Sequence, residues 1–243
     1  MLPQLWYRNT WRWESDEAAP TITKVKGATA HTTHPNLGDR CFNASSSIGN
    51  EPALLFCENE TNNERLFRVA NQAAKVKDGI DDYVIHGNGD AVDSRNGSKV
   101  AAHVQADLTP GESLTVTVRF APADLQLPFD DVEQTMEARK AEADEFYSAL
   151  ATTKLTADER LVQRQALAGL LWCKQYYHYE VRRWLEGDPG QPAPPTSLWT
   201  GRNCDWQHLV NRDVVLMPDA WEYPWNPAHV QAVHRSRRWR GDH

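Results

Sequence analysis

Residues 99–120 read KVAAHVQADLTPGESLTVTVRF, and this stretch decides the fold class of the N-terminal half. Segments 99–108 and 112–120 flank Thr109-Pro110-Gly111, a turn signal. In the second segment Leu114, Val116, Val118 and Phe120 alternate with Thr115, Thr117 and Arg119, which puts one apolar face on a strand. Upstream, 53–57 (ALLFC) is a continuous apolar run suited to a buried strand. Residues 1–127 therefore read as β-structure, for which a two-layer sandwich is the natural architecture.

Over 128–186 the pattern turns helical. Asp130 or Asp131 can cap a helix to about Leu150, with Val132, Met136, Ala143 and Tyr147 on one stripe. Thr156 and Glu159 form a capping box that predicts a second helix to about Leu185. Its apolar positions (Leu161, Leu167, Leu170, Leu171, Trp172, Tyr176, Val181, Trp184, Leu185) cover more than one stripe, so it expects neighbours on two sides. Gly187-Asp188-Pro189-Gly190 ends it, and 187–225 begins as a proline-rich loop. The basic tail 226–243 holds four arginines and three histidines with no periodicity.

Composition removes several classes. A net charge of −7 argues against a general nucleic-acid binder. No apolar run approaches the roughly 18 residues of a membrane-spanning helix. The start, MLPQLWYRNTWRW, lacks the form of a secretory signal. Cys41, Cys57, Cys173 and Cys204 form no CxxC pair, which excludes the common zinc and redox signatures and fits reduced thiols. The expectation is a cytoplasmic protein with no cofactor, no metal, no nucleic acid and no membrane; the sequons at Asn43, Asn59 and Asn96 matter only in a secreted chain. Ten tryptophans, seven of them clustered at 6–13 and 199–225, tilt the reading toward a sugar cleft, because indole faces pack on sugar rings.

Three stretches have the texture of site loops. Leu5 to Trp11 sets aromatic beside basic residues, as a sugar-lining strand end does. Glu58 to Arg65 offers carboxylates and amides able to ligate calcium, to hydrogen-bond hydroxyls, or to cap turns. Asp78 to His86 is acidic and then strand-like. His31 and His34 lack the spacing of a zincin site, and Cys57 beside Glu58 reads as a buried small hydrophobe. Asp205-Trp206-Gln207-His208 has no nucleophile nearby. The stretch 217–225, MPDAWEYPW, sets Asp219 and Glu222 among Trp221, Tyr223 and Trp225. Carboxylates in an aromatic frame are what glycoside hydrolysis uses; a rigid connector with Asp219 as a helix cap is the other reading.

The residues LPQLWYRNTWRW (2–13), LLFCENETNNERLF (54–67), VKDGIDDYVIHG (76–87), ERLVQRQALAGLLWCKQYYHYEVRRWLEGDP (159–189) and MPDAWEYPW (217–225) resemble successive motifs of bacterial glycoside hydrolase family 63 proteins. That family contains processing α-glucosidases and their bacterial relatives. The resemblance implies a β-supersandwich, linker helices and a catalytic (α/α)6 barrel, with inversion on α-glucosides or related mannosides. It also implies that Asp219, Trp221, Glu222 and Trp225 line a sugar subsite in an intact parent, whose partner is a carbohydrate.

The departures carry as much weight. The family's LW-x-RNTW strand lies well inside its β-domain, so Met1 reads as an internal start. In the family WEYPW runs on through an aromatic-small-small-Trp-Asp stretch whose Asp is the general acid. Here Trp225 is followed by Asn226-Pro227-Ala228-His229 and no Trp-Asp appears later. The tail thus resembles out-of-frame or misassembled coding sequence. A barrel of twelve helices needs over ~200 residues, more than lie beyond position 150 of 243. The expected fold is part of a β-supersandwich, then linker helices and the first helices of an incomplete barrel. The expected function is a glycosidase fragment, inactive alone because catalytic acid and base are missing. The alternatives are a non-catalytic carbohydrate-binding or interaction module and a pseudogene product.

Overall fold

The computed structural model describes residues 1–8, 11, 13, 20–151 and 154–215, and the chain divides into two compact units. The first is Met1–Thr135 with Asp188–Ala193; the second is Met136–Gly187 with the chain from Pro194 onward. In order come β1 (Gln4–Trp6), β2 (Ile22–Lys26), β3 (Thr29–His34), β4 (Gly38–Ser46) and β5 (Ala53–Cys57). Short helices α1 (Asn63–Phe67) and α2 (Gly79–His86) precede β6 (Asn96–Gly97), β7 (Lys99–His103) and β8 (Val116–Pro122). Helices α3 (Val132–Ala149) and α4 (Ala157–Cys173), strand β9 (Lys174–Glu180), helix α5 (Val181–Glu186) and strand β10 (Val210–Val215) complete the series. Strands come first and helices after, as expected.

In the first unit an antiparallel five-stranded sheet has the order β6-β2-β3-β4-β8, and a three-stranded antiparallel sheet the order β1-β7-β5. The period of two explains the core. Ile22, Ala30, Phe42 and Ala44 of the larger sheet meet Leu54, Phe56, Val100 and Ala102 of the smaller one. The alternate residues Leu55, Cys57 and Ala101 form a second cluster with Ile80 of α2 and Val92. Both faces of β5 are therefore covered, which is why its sequence is uninterruptedly apolar. At Gly97 an added Cβ would stand 2.4 Å from the Cys57 carbonyl oxygen, so only glycine admits this approach.

The strand expected over 112–120 is β8, starting at Val116. Val118 and Phe120 pair with Ala44 and Phe42, so they lie on the core-side face. Yet they remain 41% and 39% exposed, because β8 is the sheet's edge and the shared cluster stops at β4.

Two other expectations are corrected. Asp78 to His86 is not strand-like: acidic Asp81 and Asp82 sit in the first turn of α2, and Gly87 closes it in the left-handed conformation. The helix foreseen to Leu185 stops at Cys173. The aromatic run KQYYHYE suits a strand and pairs antiparallel with β10 to form a two-stranded sheet. The capping box is present: Thr156 Oγ1 accepts from Glu159 N, and Glu159 accepts from Thr156 N at 2.8 Å. In the second unit Val181, Leu185, Val214 and Val215 are buried, whereas α3 and α4 bury no residue. Among the described residues no helix is long and apolar enough to cross a membrane.

Candidate functional site

Two of the three flagged loops come together in the first unit. After β5 the chain turns at Glu58, where Ser98 Oγ donates to Glu58 Oε2 (2.5 Å) and accepts from Asn59 N (2.8 Å). Asn59 Nδ2 donates to the Tyr7 carbonyl at 2.7 Å, tying the loop to the residue after β1. Asn62 then caps α1 through Oδ1, which accepts from Arg65 N and from Asn71 Nδ2, each at 3.0 Å. Its Nδ2 donates to the Asp78 carboxylate, which also accepts from Arg65 Nη1 at 3.1 Å. One amide and one carboxylate thus knit α1, the 71–78 loop and the start of α2. Gly79 completes the joint: a Cβ there would lie 2.1 Å from the Ala91 carbonyl oxygen, so α2 can lie against the turn 89–91 only without a side chain.

The result is an open cleft of ≈ 690 Å³. Five carboxylates (Glu64, Asp78, Asp81, Asp82, Asp90) line it against two guanidiniums (Arg65, Arg68) and His86. Asn62, Asn71 and Asn88 add amides, while Val76, Ile85 and Ala91 add aliphatic surface. Asp78 is engaged as above, and Asp82 accepts from Asn88 Nδ2 at 2.6 Å. Arg68, at the C-terminal end of α1, takes φ +61°, a conformation uncommon for a non-glycine residue. Such a mixture of acceptors and donors suits a neutral or cationic hydroxyl-bearing ligand, and the excess of carboxylates repels anions.

The third flagged loop serves the core instead. Tyr7 is buried, its hydroxyl 2.9 Å from Thr32 Oγ1, and its ring stacks on His34 at 5.4 Å. Leu5 and Trp11 pack against the same cluster, and Arg8 lies over Trp13 at 5.4 Å. Trp13 Nε1 donates to Asp188 at 3.2 Å, and Asn63 Nδ2 to the Gly190 carbonyl at 2.9 Å, so 188–193 straps onto this unit. His31 and His34 fall on opposite faces of β3, as an odd spacing requires. Among the described residues no cluster of three or more His, Cys, Asp or Glu could hold a metal. Cys57 is buried, and that burial pushes its thiol up to about 12, so it is not a nucleophile. Trp206 and Asp205 are exposed on a short turn. Asp219, Trp221, Glu222 and Trp225, with the tail 226–243, lie outside the described residues.

Sequence reasoning flagged 58–65 and 78–86 separately but missed Arg68, Asn71, Asn88 and Asp90. The one available signal was Asn88-Gly89-Asp90, a turn whose Asn88 Oδ1 accepts from Asp90 N at 3.2 Å.

No family model matches the chain, and no solved structure matches it. It is similar to the uncharacterized protein YMR196W of Saccharomyces cerevisiae, with 33% identity over 96% of this chain and 24% of that protein. The chain spans about a quarter of the length of the curated relative it matches.

Proposed function

We propose that the chain is a portion of an inverting glycoside hydrolase of the family 63 type, acting on α-glucosides or related glycosides in an intact cytoplasmic parent. In this reading the two sheets are part of a β-supersandwich, and α3 and α4 are linker and first barrel helices. The observation that carries it is the order of parts: sheets that close on their own core, then two helices that bury no residue among those described. Helices that touch each other through Arg164 with Asp144 and Tyr147, yet leave Leu161, Leu171 and Trp172 more than half exposed, call for a larger helical body. Asp219, Trp221, Glu222 and Trp225 would flank the sugar by motif position, and the catalytic acid and base come from sequence beyond theirs. Inversion needs two carboxyl groups about 6.5–9.5 Å apart with room for water, so without that acid and base the chain alone is inactive. The experiment is an assay of the purified chain on aryl α-glucosides, kojibiose-type disaccharides and mannosylglycerate. No turnover is expected; hydrolysis that vanishes in Glu222→Gln would sink the inactive-fragment reading.

A second reading is favoured by the cleft itself: a non-catalytic carbohydrate-binding module. Its acceptors and amides suit sugar hydroxyls, and it sits in a unit with its own core. Binding of neutral α-glucans that is weakened by Asp81→Asn and Asp90→Asn, with no cleavage, would favour it. Binding indifferent to both changes would exclude it.

A further inference from the structure

The second unit holds a cluster that neither reading uses. On β9, Tyr176, His178 and Glu180 stand two residues apart, and the pairing with β10 shifts register between Asn211 and Asp213. At that irregularity His178 takes φ +53°, a left-handed conformation that costs a non-glycine residue free energy and that collects at functional sites. The Tyr176 hydroxyl lies 2.7 Å from His178 Nδ1. His178 Nε2 lies 3.1 Å from Glu180 Oε1, and Glu180 Oε2 accepts from Arg183 Nε at 2.8 Å. A nucleophile in reach of a base, with the base held by a third group, is the arrangement by which weak nucleophiles are activated. Glu180 favours the tautomer with the proton on Nε2, which leaves the Nδ1 lone pair facing the phenol. Arg212 stands 5.7 Å from the centre of the Tyr176 ring, placing a cation over the group on which negative charge would develop. Tyr176 is 53% exposed, while the His178 side chain is 19% exposed, so the nucleophile is reachable and its base sheltered.

We propose that Tyr176 is a base-assisted nucleophile whose phenol oxygen takes the acyl group of an activated acyl donor. A bond forms between the phenol oxygen and the acyl carbon, and the bond from that carbon to the leaving group breaks with its electron pair. The phenol proton passes to His178 Nδ1 and from there to the leaving group. This concerns the second unit alone and stands independently of the carbohydrate reading.

The test uses the full chain and N-acetylimidazole, with acetylation of each tyrosine followed by peptide mass spectrometry. The neighbour Tyr177 is 37% exposed, so exposure alone predicts rates that differ by much less than twofold. General-base assistance typically contributes about 10²-fold or more, so Tyr176 should react at least about tenfold faster than Tyr177. His178→Asn keeps a residue that tolerates positive φ but removes the base, and should bring Tyr176 down to the rate of Tyr177. Glu180→Gln, which leaves residue 178 untouched, should lower the Tyr176 rate part of the way. Rates for the two tyrosines within about threefold in the wild type would overturn the proposal. So would selectivity that survives both substitutions.

Discussion

Gly79→Ala tests the joint on which the cleft depends. The new Cβ would stand 2.1 Å from the Ala91 carbonyl oxygen and 3.1 Å from its carbon, and both are backbone atoms that cannot rotate away. Restoring ordinary contact requires α2 or the turn 89–91 to move by about 1 Å, and forced overpacking of this kind costs roughly 1–3 kcal/mol. Alanine returns up to about 1 kcal/mol through better helix propensity and a less flexible unfolded chain. The net expectation is a loss of about 1–2 kcal/mol, or about 3–10 °C in Tm for a domain of this size. Gly89→Ala is the control: an added Cβ there meets nothing within 4 Å, so its effect should stay within about 0.5 kcal/mol. Urea unfolding followed by far-UV circular dichroism gives both values on one scale. Gly79→Ala as stable as Gly89→Ala would refute the claim that close packing of α2 on the turn builds the cleft.

Three further outcomes are expected. Glu159 is held below its ordinary value of 4.5 by the Thr156 N–H and then by the Thr156 hydroxyl. Its support of α4 is therefore present above that value and lost as pH falls through the depressed one. The ellipticity deficit of Glu159→Ala at 222 nm should shrink on acidification; a deficit constant with pH contradicts this. Burial holds the Cys57 thiol protonated at about pH 8, so DTNB should leave it unmodified in the native chain and label it in urea. Labelling at native conditions would show that β5 opens. On α4, Leu161 and Leu171 are each 53% exposed and Trp172 80%. Leu161→Gln with Leu171→Gln should cut ANS binding and self-association at about 0.5 kcal/mol or less per site; a marked loss of stability would show that the face is covered.

How far the sequence speaks depends on how locally each signal is encoded. The run 53–57 needed only its own composition to be read as buried, and Thr156 with Glu159 announced the start of α4 through a bond pattern three residues long. Asp78 to His86 misled because Tyr83, Val84 and Ile85 have β propensity; the decisive marks were the acidic first turn and the closing Gly87. The end of α4 at Cys173 was hidden, since the partner that draws Lys174–Glu180 into a sheet is β10, over thirty residues further on. The cleft is a product of tertiary approach. Asn62 and Asp78 were visible as polar residues, but their bond, and the closeness of Ala91 to Gly79, appear only when three segments fold together.

The strap at 188–193 sets a timetable for the first unit. Its bonds to Trp13, Asn63 and Thr61 close loops well over a hundred residues long. About fifty residues of the other unit are made before these partners exist, which at ribosomal rates is about 3–10 s. During that interval the two sheets can form while the Trp13 indole and the Asn63 amide wait without their acceptors. A nascent chain halted near residue 187 should therefore be more open to protease around Thr61 than one extended past Ala193, and the first unit matures only after about half of the second has been made.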